Sequence, residues 1–370
     1  MEPKVDLIYN GQGQGQIAQF IANKGKLDVG LKRPFEWNGK SYISVYVGGD
    51  PKEDKSYRTM ELGINAATLR RDEWKRLDDA LVEPARYRLG GVDDLISKGL
   101  VYNLGNGMGT TILEWHDVSD AGEAEITMNG VSRAKNDRPV YQHNYLPIPI
   151  VHADYEIDYR ELVVSRNMGN PLDTTMAERA ARRVSEKIEN MLFTDVTYQY
   201  GETDSRGRNK IYSYLNFPDR NVASYTALPG AKHWDDSGMT GEYIVKQVSA
   251  LKQILLEAHQ NGPYMLYIPY NYETVVDLDY STEYPGVSIR KRILDIKNIL
   301  DVKVIDTLPV DTVLLVQMNK ETVRLVQGMG VQNIQWQEEG GMVLHMKVMT
   351  IQVPQIRSDQ NGKCGIVHLS

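Results

Sequence analysis

Leu146-Pro-Ile-Pro-Ile-Val-His-Ala-Asp-Tyr-Glu-Ile157 is followed by Asp158-Tyr-Arg-Glu-Leu162, then Arg166-Asn-Met-Gly-Asn-Pro-Leu-Asp173, and then a helical pattern that runs to Phe193. The stretch predicts an extended apolar segment, a short turn and one amphipathic helix, in that order. Pro171 and Asp173 stop the preceding chain, and Thr175 with Glu178 has the Ser/Thr-x-x-Glu spacing of a capping box. Met176, Ala180, Val184, Ile188 and Met191 recur at three- and four-residue intervals and share a helical face. Glu178 with Arg182, and Arg182 with Glu186, are opposite charges one turn apart on another face. Amphipathic helices packed on sheets occur in many folds, so the weight of this stretch lies in the order of its elements.

Downstream, Asp195 to Asp236 is polar and irregular. Thr240 then opens a second helix whose stripe is Ile244, Val248, Leu251, Leu255 and Ala258, and Gly262-Pro263 ends it. Tyr264 to Ile268 reads as a buried strand, and Tyr270 to Leu278 and Ser288 to Leu294 as short helices. Further strands are predicted over 302–306, 313–318, 322–326, 343–353 and 364–369. Upstream, a helix starts at Asn65, with Leu69, Trp74, Leu77, Leu81 and Val82 on its apolar side. Pro84 is expected to break or kink it, with shorter helices near 85–89 and 92–98. Between 100 and 145, Thr111 to Trp115 and Ala124 to Met128 are strand-like, and Asn129-Gly130 is a hairpin signal. Residues 1–65 read as an arm. Gly11-Gln-Gly-Gln-Gly15 is flexible, Trp37-Asn-Gly-Lys40 is a turn, and Ser41 to Val47 is a lone strand that must pair elsewhere, for instance on a neighbouring subunit. No long heptads appear in this arm. The mixture is α+β, with no regular βαβ alternation.

Composition narrows the function classes. The 370 residues are 41% hydrophobic and 25% charged, which suits a globular chain with a large core. The net charge of −7 argues against gripping duplex DNA through its phosphates. No apolar run reaches the ~18 residues of a membrane helix, and the first residues lack a basic start with an apolar stretch, so no secretory signal is expected. Cys364 is the single cysteine, which excludes a disulfide framework and fits a reducing compartment. Tyrosine outnumbers phenylalanine 22 to 4; it suits contacts that are wet at the rim, and a compositional habit explains it equally well.

Chemical motifs are sparse. Gly11-x-Gly-x-Gly15 and Gly105-x-Gly-x-Gly109 lack the spacing of a dinucleotide loop. The seven histidines, at 116, 143, 152, 233, 259, 345 and 368, include no i,i+4 pair, so the sequence supports no zinc site. Asp277-Leu-Asp279 reads as a solvated loop rather than a cation site, and Cys364 as an unreactive thiol. No catalytic, cofactor-binding or metal-binding residue is assigned, and no enzyme activity is expected.

The order of elements resembles the major capsid proteins of tailed phages, of the Hong Kong 97 type, and their relatives the encapsulins. The likeness covers roughly residues 66–370. It runs through the strand and spine helix, a later helix followed by Gly262-Pro-Tyr-Met-Leu-Tyr-Ile268, the Tyr284-Pro285 segment, the basic helix Ile289-Arg-Lys-Arg-Ile-Leu294, and a returning strand over Met342 to Gln355. The resemblance implies an N-terminal arm (1–65), a first helical part of a peripheral (P) domain (66–99) and an extended loop (100–145). It also implies the P-domain strand and spine helix (146–198), an apical (A) domain (199–335) and P-domain return strands (336–370). It implies a structural virion protein, assembled in the host cytoplasm, that forms hexamers and pentamers of an icosahedral head enclosing double-stranded DNA. The expected partners are other copies of the chain, a scaffold protein, a portal, a decoration protein and non-specifically touched DNA, with no membrane and no cofactor. An encapsulin-type compartment around a cargo enzyme is the alternative, and the arm before residue 65 favours the phage capsid. Some shells of this kind weld subunits through a lysine and an asparagine, and Lys135 and Asn361 lie in comparable regions. The basic run Arg290, Lys291, Arg292 is expected to pair with acidic loops such as 277–283 of a neighbour.

Overall fold

The computed structural model describes residues 34–37, 40–46, 57–62, 69, 71–88, 90–118, 128, 141–168, 172–195, 198–201, 210–281, 284–338, 342–359 and 362–370. Strands β1 (Pro34–Trp37), β2 (Lys40–Tyr46) and β3 (Tyr57–Leu62) form an antiparallel sheet in that order. Trp37 pairs with Lys40, and the two residues between them in sequence are Asn-Gly, a favoured hairpin dipeptide. The strand expected to be alone is therefore the middle strand of a sheet within its own chain, and needs no neighbouring subunit to pair.

Helix α1 (Arg71–Arg88) buries Leu77 and Leu81 and continues through Pro84, where a break was expected. Packing of this apolar side outweighs the one backbone hydrogen bond a proline removes, and the separate helix expected at 85–89 is the tail of α1. Helix α2 (Gly90–Ser97) and strand β4 (Val101–Asn103) follow. Strands β5 (Ile112–Val118) and β6 (Tyr141–Pro147) pair antiparallel, from Ile112 opposite Pro147 to Val118 opposite Tyr141. The strand expected over 124–128, apart from an exposed Met128, and the Asn129-Gly130 turn lie outside the described residues.

Strand β7 (Val151–Asp158) leads into helix α3 (Tyr159–Met168) and then the spine helix α4 (Thr175–Phe193). A short turn was expected where α3 lies. Among the described side chains of α3 only Leu162 is fully buried, so the segment carries almost no apolar stripe to reveal it. The capping box also differs. Thr174 is the N-cap residue, Asp173 Oδ1 accepts from the Thr175 amide at 2.9 Å and from its hydroxyl at 2.6 Å, and Glu178 accepts from Thr174 Oγ1 at 3.0 Å. These bonds to Thr175 hold the Asp173 carboxyl below its usual range. The buried face of α4 is Ala177, Ala180, Ala181, Val184, Ile188, Met191 and Leu192, whereas Met176 is exposed. The ion pair described on its surface is Arg183 with Glu186, at 3.6 Å.

Beyond α4 come β8 (Tyr198–Gln199), β9 (Lys210–Ile211), β10 (Asn221–Ala223), helix α5 (Gly241–Glu257), β11 (Tyr264–Pro269) and helix α6 (Glu273–Val276). The hairpin β12 (Asp279–Ser281) and β13 (Tyr284–Ser288) precedes helix α7 (Ile289–Leu294), which Ser288 caps through its hydroxyl. Strands β14 (Ile299–Ile305), β15 (Val313–Gln317), β16 (Val323–Glu338), β17 (Val343–Ile356) and β18 (Ile366–Leu369) complete the chain.

Two sheets organise the molecule. The first has the order β4-β16-β17-β7, with α4 packed on it and α1 on α4. The second has the order β10-β18-β15-β11-β14. Strand β11, which lies between β15 and β14, is buried along its whole length, and alternation sends its side chains two ways. Tyr264, Leu266 and Ile268 join α5 in one core, while Met265 and Tyr267 join α4 in the other. Strand β16 was expected to stop near residue 326 but runs to Glu338, with irregularities around Met329 that absorb Gly328 and Gly330. The final strand, β18, sits in the five-stranded sheet between β10 and β15, not beside the returning strand β17.

Candidate functional site

Where the two sheets meet, a cluster of charged groups is buried. Glu189, on the last turn of α4, is 5% exposed and accepts from the backbone amides of Gly91 (2.9 Å) and Val92 (3.4 Å). These are first-turn amides of α2, which have no partner within their own helix, so a carboxylate from another helix caps them. Close by, Asp94 of α2 accepts from the Tyr267 hydroxyl at 3.1 Å and pairs with the ammonium of Lys303 on β14. Burial pushes the Glu189 carboxyl up to about 7, against the pull of the two amides, and the Asp94 charge adds to the rise. Burial also raises Asp94, while Lys303 and Tyr267 pull it back. The Tyr214 and Tyr267 phenols are driven well above their usual range by burial. Gly91 is required here, since a Cβ would lie 2.3 Å from the Phe193 ring. The cluster joins α2 and α4 to strands of the other sheet and can hold or release a proton. Sequence reading missed it. The available signal was Glu189 itself, one turn beyond Ser185 and beside Ile188 on the apolar side of the spine helix.

The motifs weighed in the sequence resolve structurally. In Gly105-x-Gly-x-Gly109, a Cβ on Gly107 would lie 2.4 Å from the Gly328 carbonyl oxygen, so this glycine serves the contact of the β4–β5 turn with β16. Cys364 is buried, which pushes its thiol up to about 12. Asp277 pairs with Arg290 at 2.7 Å, and Asp279 accepts from the Gly286 amide at 3.3 Å. Arg290 of the basic helix therefore meets the acidic loop within its own chain. Arg290 also donates to the Val302 carbonyl at 3.0 Å, and Arg292 stacks over Tyr280 at 5.1 Å. His368 is drawn down to about 4 by burial and by the Arg220 charge, and accepts from Arg220 Nε at 3.3 Å. Among the described residues, no three His, Cys, Asp or Glu side chains come together to hold a metal, and no helix is long and apolar enough to cross a membrane. Gly11 to Gly15, Lys135 and Asn361 lie outside the described residues.

Two surface regions stand out. The β5–β6 hairpin packs Leu113 and Trp115 against a third core cluster and shows its other face to solvent. At one end of the five-stranded sheet, three loops are tied by Tyr225, which donates to the Asp311 carbonyl at 2.9 Å and meets Tyr272 at 3.2 Å. Asn271 adds bonds to Asp311 (2.8 Å) and Asp235 (3.1 Å), and Tyr270 and Val310 are exposed at this tip. Tyrosine thus serves the interior as much as any rim, for Tyr214, Tyr264, Tyr267 and Tyr272 are fully buried.

Among solved structures, the chain matches the virus-like particle from Pyrococcus furiosus with a TM-score of 0.54 and 15% identity, covering 80% of this chain and 99% of that one. It matches the capsid of Myoviridae phage XM1 with a TM-score of 0.54 and 11% identity, covering 74% and 90%. At such identities the likeness is one of fold, and the fold is the Hong Kong 97-type α+β fold expected from the order of elements. A model described as a family of unknown function (DUF6260) matches residues 65–369.

Proposed function

The chain belongs to the DUF6260 family, described as a family of unknown function, and from that starting point we propose that it is the major capsid protein of a tailed phage. The observation that carries this reading is the fold shared with the capsid of phage XM1 over nine-tenths of that chain. In this reading the four-stranded sheet with α1 and α4 is the peripheral domain, and the five-stranded sheet with α5 and α7 is the apical domain. The β5–β6 hairpin is the base of the extended loop. Hexamers and pentamers close into an icosahedral head around double-stranded DNA, each surface meeting a different surface of its neighbour. A scaffold protein, a portal and a decoration protein are the further partners, the head is assembled in the host cytoplasm, and the chain itself catalyses nothing.

The acidic balance supports a container that holds DNA without gripping it. The exposed tip at Tyr270 and Val310 supplies an apolar contact for a neighbouring apical domain. Expression of the chain alone and with a neighbouring scaffold gene, followed by light scattering and electron microscopy, tests the proposal. Hollow megadalton shells or hexameric capsomers are expected. A monomer or dimer under every condition overturns it, and shells that enclose an enzyme instead of DNA establish the compartment alternative.

A further inference from the structure

Two of the seven histidines are brought together by the hairpin. His116 on β5 and His143 on β6 are register partners, with ring centroids 4.3 Å apart and planes at 89°. Both are exposed, on the face opposite Leu113 and Trp115.

We propose that His116 and His143 form a binding site for a late first-row divalent cation, Zn²⁺ or Cu²⁺, held by one ring nitrogen from each residue and completed by water. Imidazole is a donor these ions favour. Metal–nitrogen bonds of about 2.0–2.1 Å at a tetrahedral ion need ring nitrogens about 3.3 Å apart. Rings whose centroids lie 4.3 Å apart reach that spacing by side-chain rotation alone. The register holds the two rings side by side, so the second bond forms intramolecularly. Among the described residues no third His, Cys, Asp or Glu side chain joins the pair. Other histidine contacts on strands differ in kind: His152 faces Asp154 at 3.4 Å, His345 faces Glu156 at 3.2 Å, and His368 faces Arg220 at 3.3 Å, each a histidine with a charged side chain. A bound ion ties β5 to β6 at the stem of the hairpin, and because it binds the folded hairpin it raises thermal stability.

The test is calorimetric titration of the full chain with ZnCl₂ and, separately, CuCl₂ at neutral pH. The proteins compared are wild type, His116→Ala, His143→Ala, the double variant and His152→Ala, with circular dichroism confirming that all are folded. One tight equivalent is expected in wild type and His152→Ala, weakened about tenfold or more in each hairpin variant. Zn²⁺ should also raise the melting temperature only where both hairpin histidines are present. A tight equivalent that survives in the double variant, or none in wild type, overturns the proposal.

Discussion

Arg166 on α3 grips Glu73 on α1 with both arms of its guanidinium, Nε to Oε1 at 2.8 Å and Nη2 to Oε2 at 2.8 Å. The side chains are 12% and 8% exposed, so the pair is largely removed from water. It fastens a helix that has little apolar surface of its own. Arg166→Ala takes a bidentate partner from a buried carboxylate and should cost about 3 kcal/mol in denaturant unfolding. Replacing both, with Arg166→Met and Glu73→Leu, should cost clearly less. An equal or larger loss in the double variant would show that the pair is not the source of the effect.

The buried carboxyl of Glu189 sets a pH dependence of definite sign. Its folded value of about 7 lies above the ordinary 4.5, so the folded chain binds this proton more tightly. The stabilisation is complete below about 4.5 and is lost as pH rises through about 7, an effect on the order of 3 kcal/mol. Glu189→Gln keeps an oxygen for the Gly91 amide and cannot ionise. The difference in unfolding free energy between wild type and this variant should therefore change between pH 4.5 and 7 and be flat above. A difference independent of pH would overturn the assignment.

Glycine at 107 is a matter of space. Gly107→Ala drives a methyl group into the Gly328 backbone, which cannot swing aside as a side chain can, and should destabilise by about 1–3 kcal/mol. Gly105→Ala meets nothing within 4 Å and should be tolerated by comparison. Equal thermal shifts for the two would refute the close-contact explanation.

Deleting residues 1–62 removes β1, β2 and β3 together. The two packed sheets do not depend on those strands for their pairing. The truncated chain should remain folded and soluble by circular dichroism yet fail to form stable shells by electron microscopy. Normal shells would remove the assembly role from the arm.

The spine helix and β11 were readable because burial wrote itself into their spacing. Ala180, Val184 and Ile188 recur with the helical period, and Tyr264 to Ile268 is an unbroken apolar run. Helix α3 was hidden because its anchor is the ion pair of Arg166 and Glu73, and charge at a single position has no period. The far half of β16 was hidden because Gly328 and Gly330 read as breaks, while the sheet accommodates them as irregularities in register. Asn38-Gly39 was readable as a turn, but the four-residue strand before it was too short to show alternation. The His116–His143 pair could not be read at all, because strand register, not sequence spacing, makes them neighbours.

Strand β18 lies between β10 and β15, with Leu369 opposite Val313 and also opposite Ala223. Its neighbours are translated long before it. Until residues 366–369 are in place, the backbone N–H and C=O groups of β10 and β15 that face β18 have no strand to pair with. A chain cut before residue 366 would therefore split the sheet, leaving β15 as an open edge with β10 detached from it.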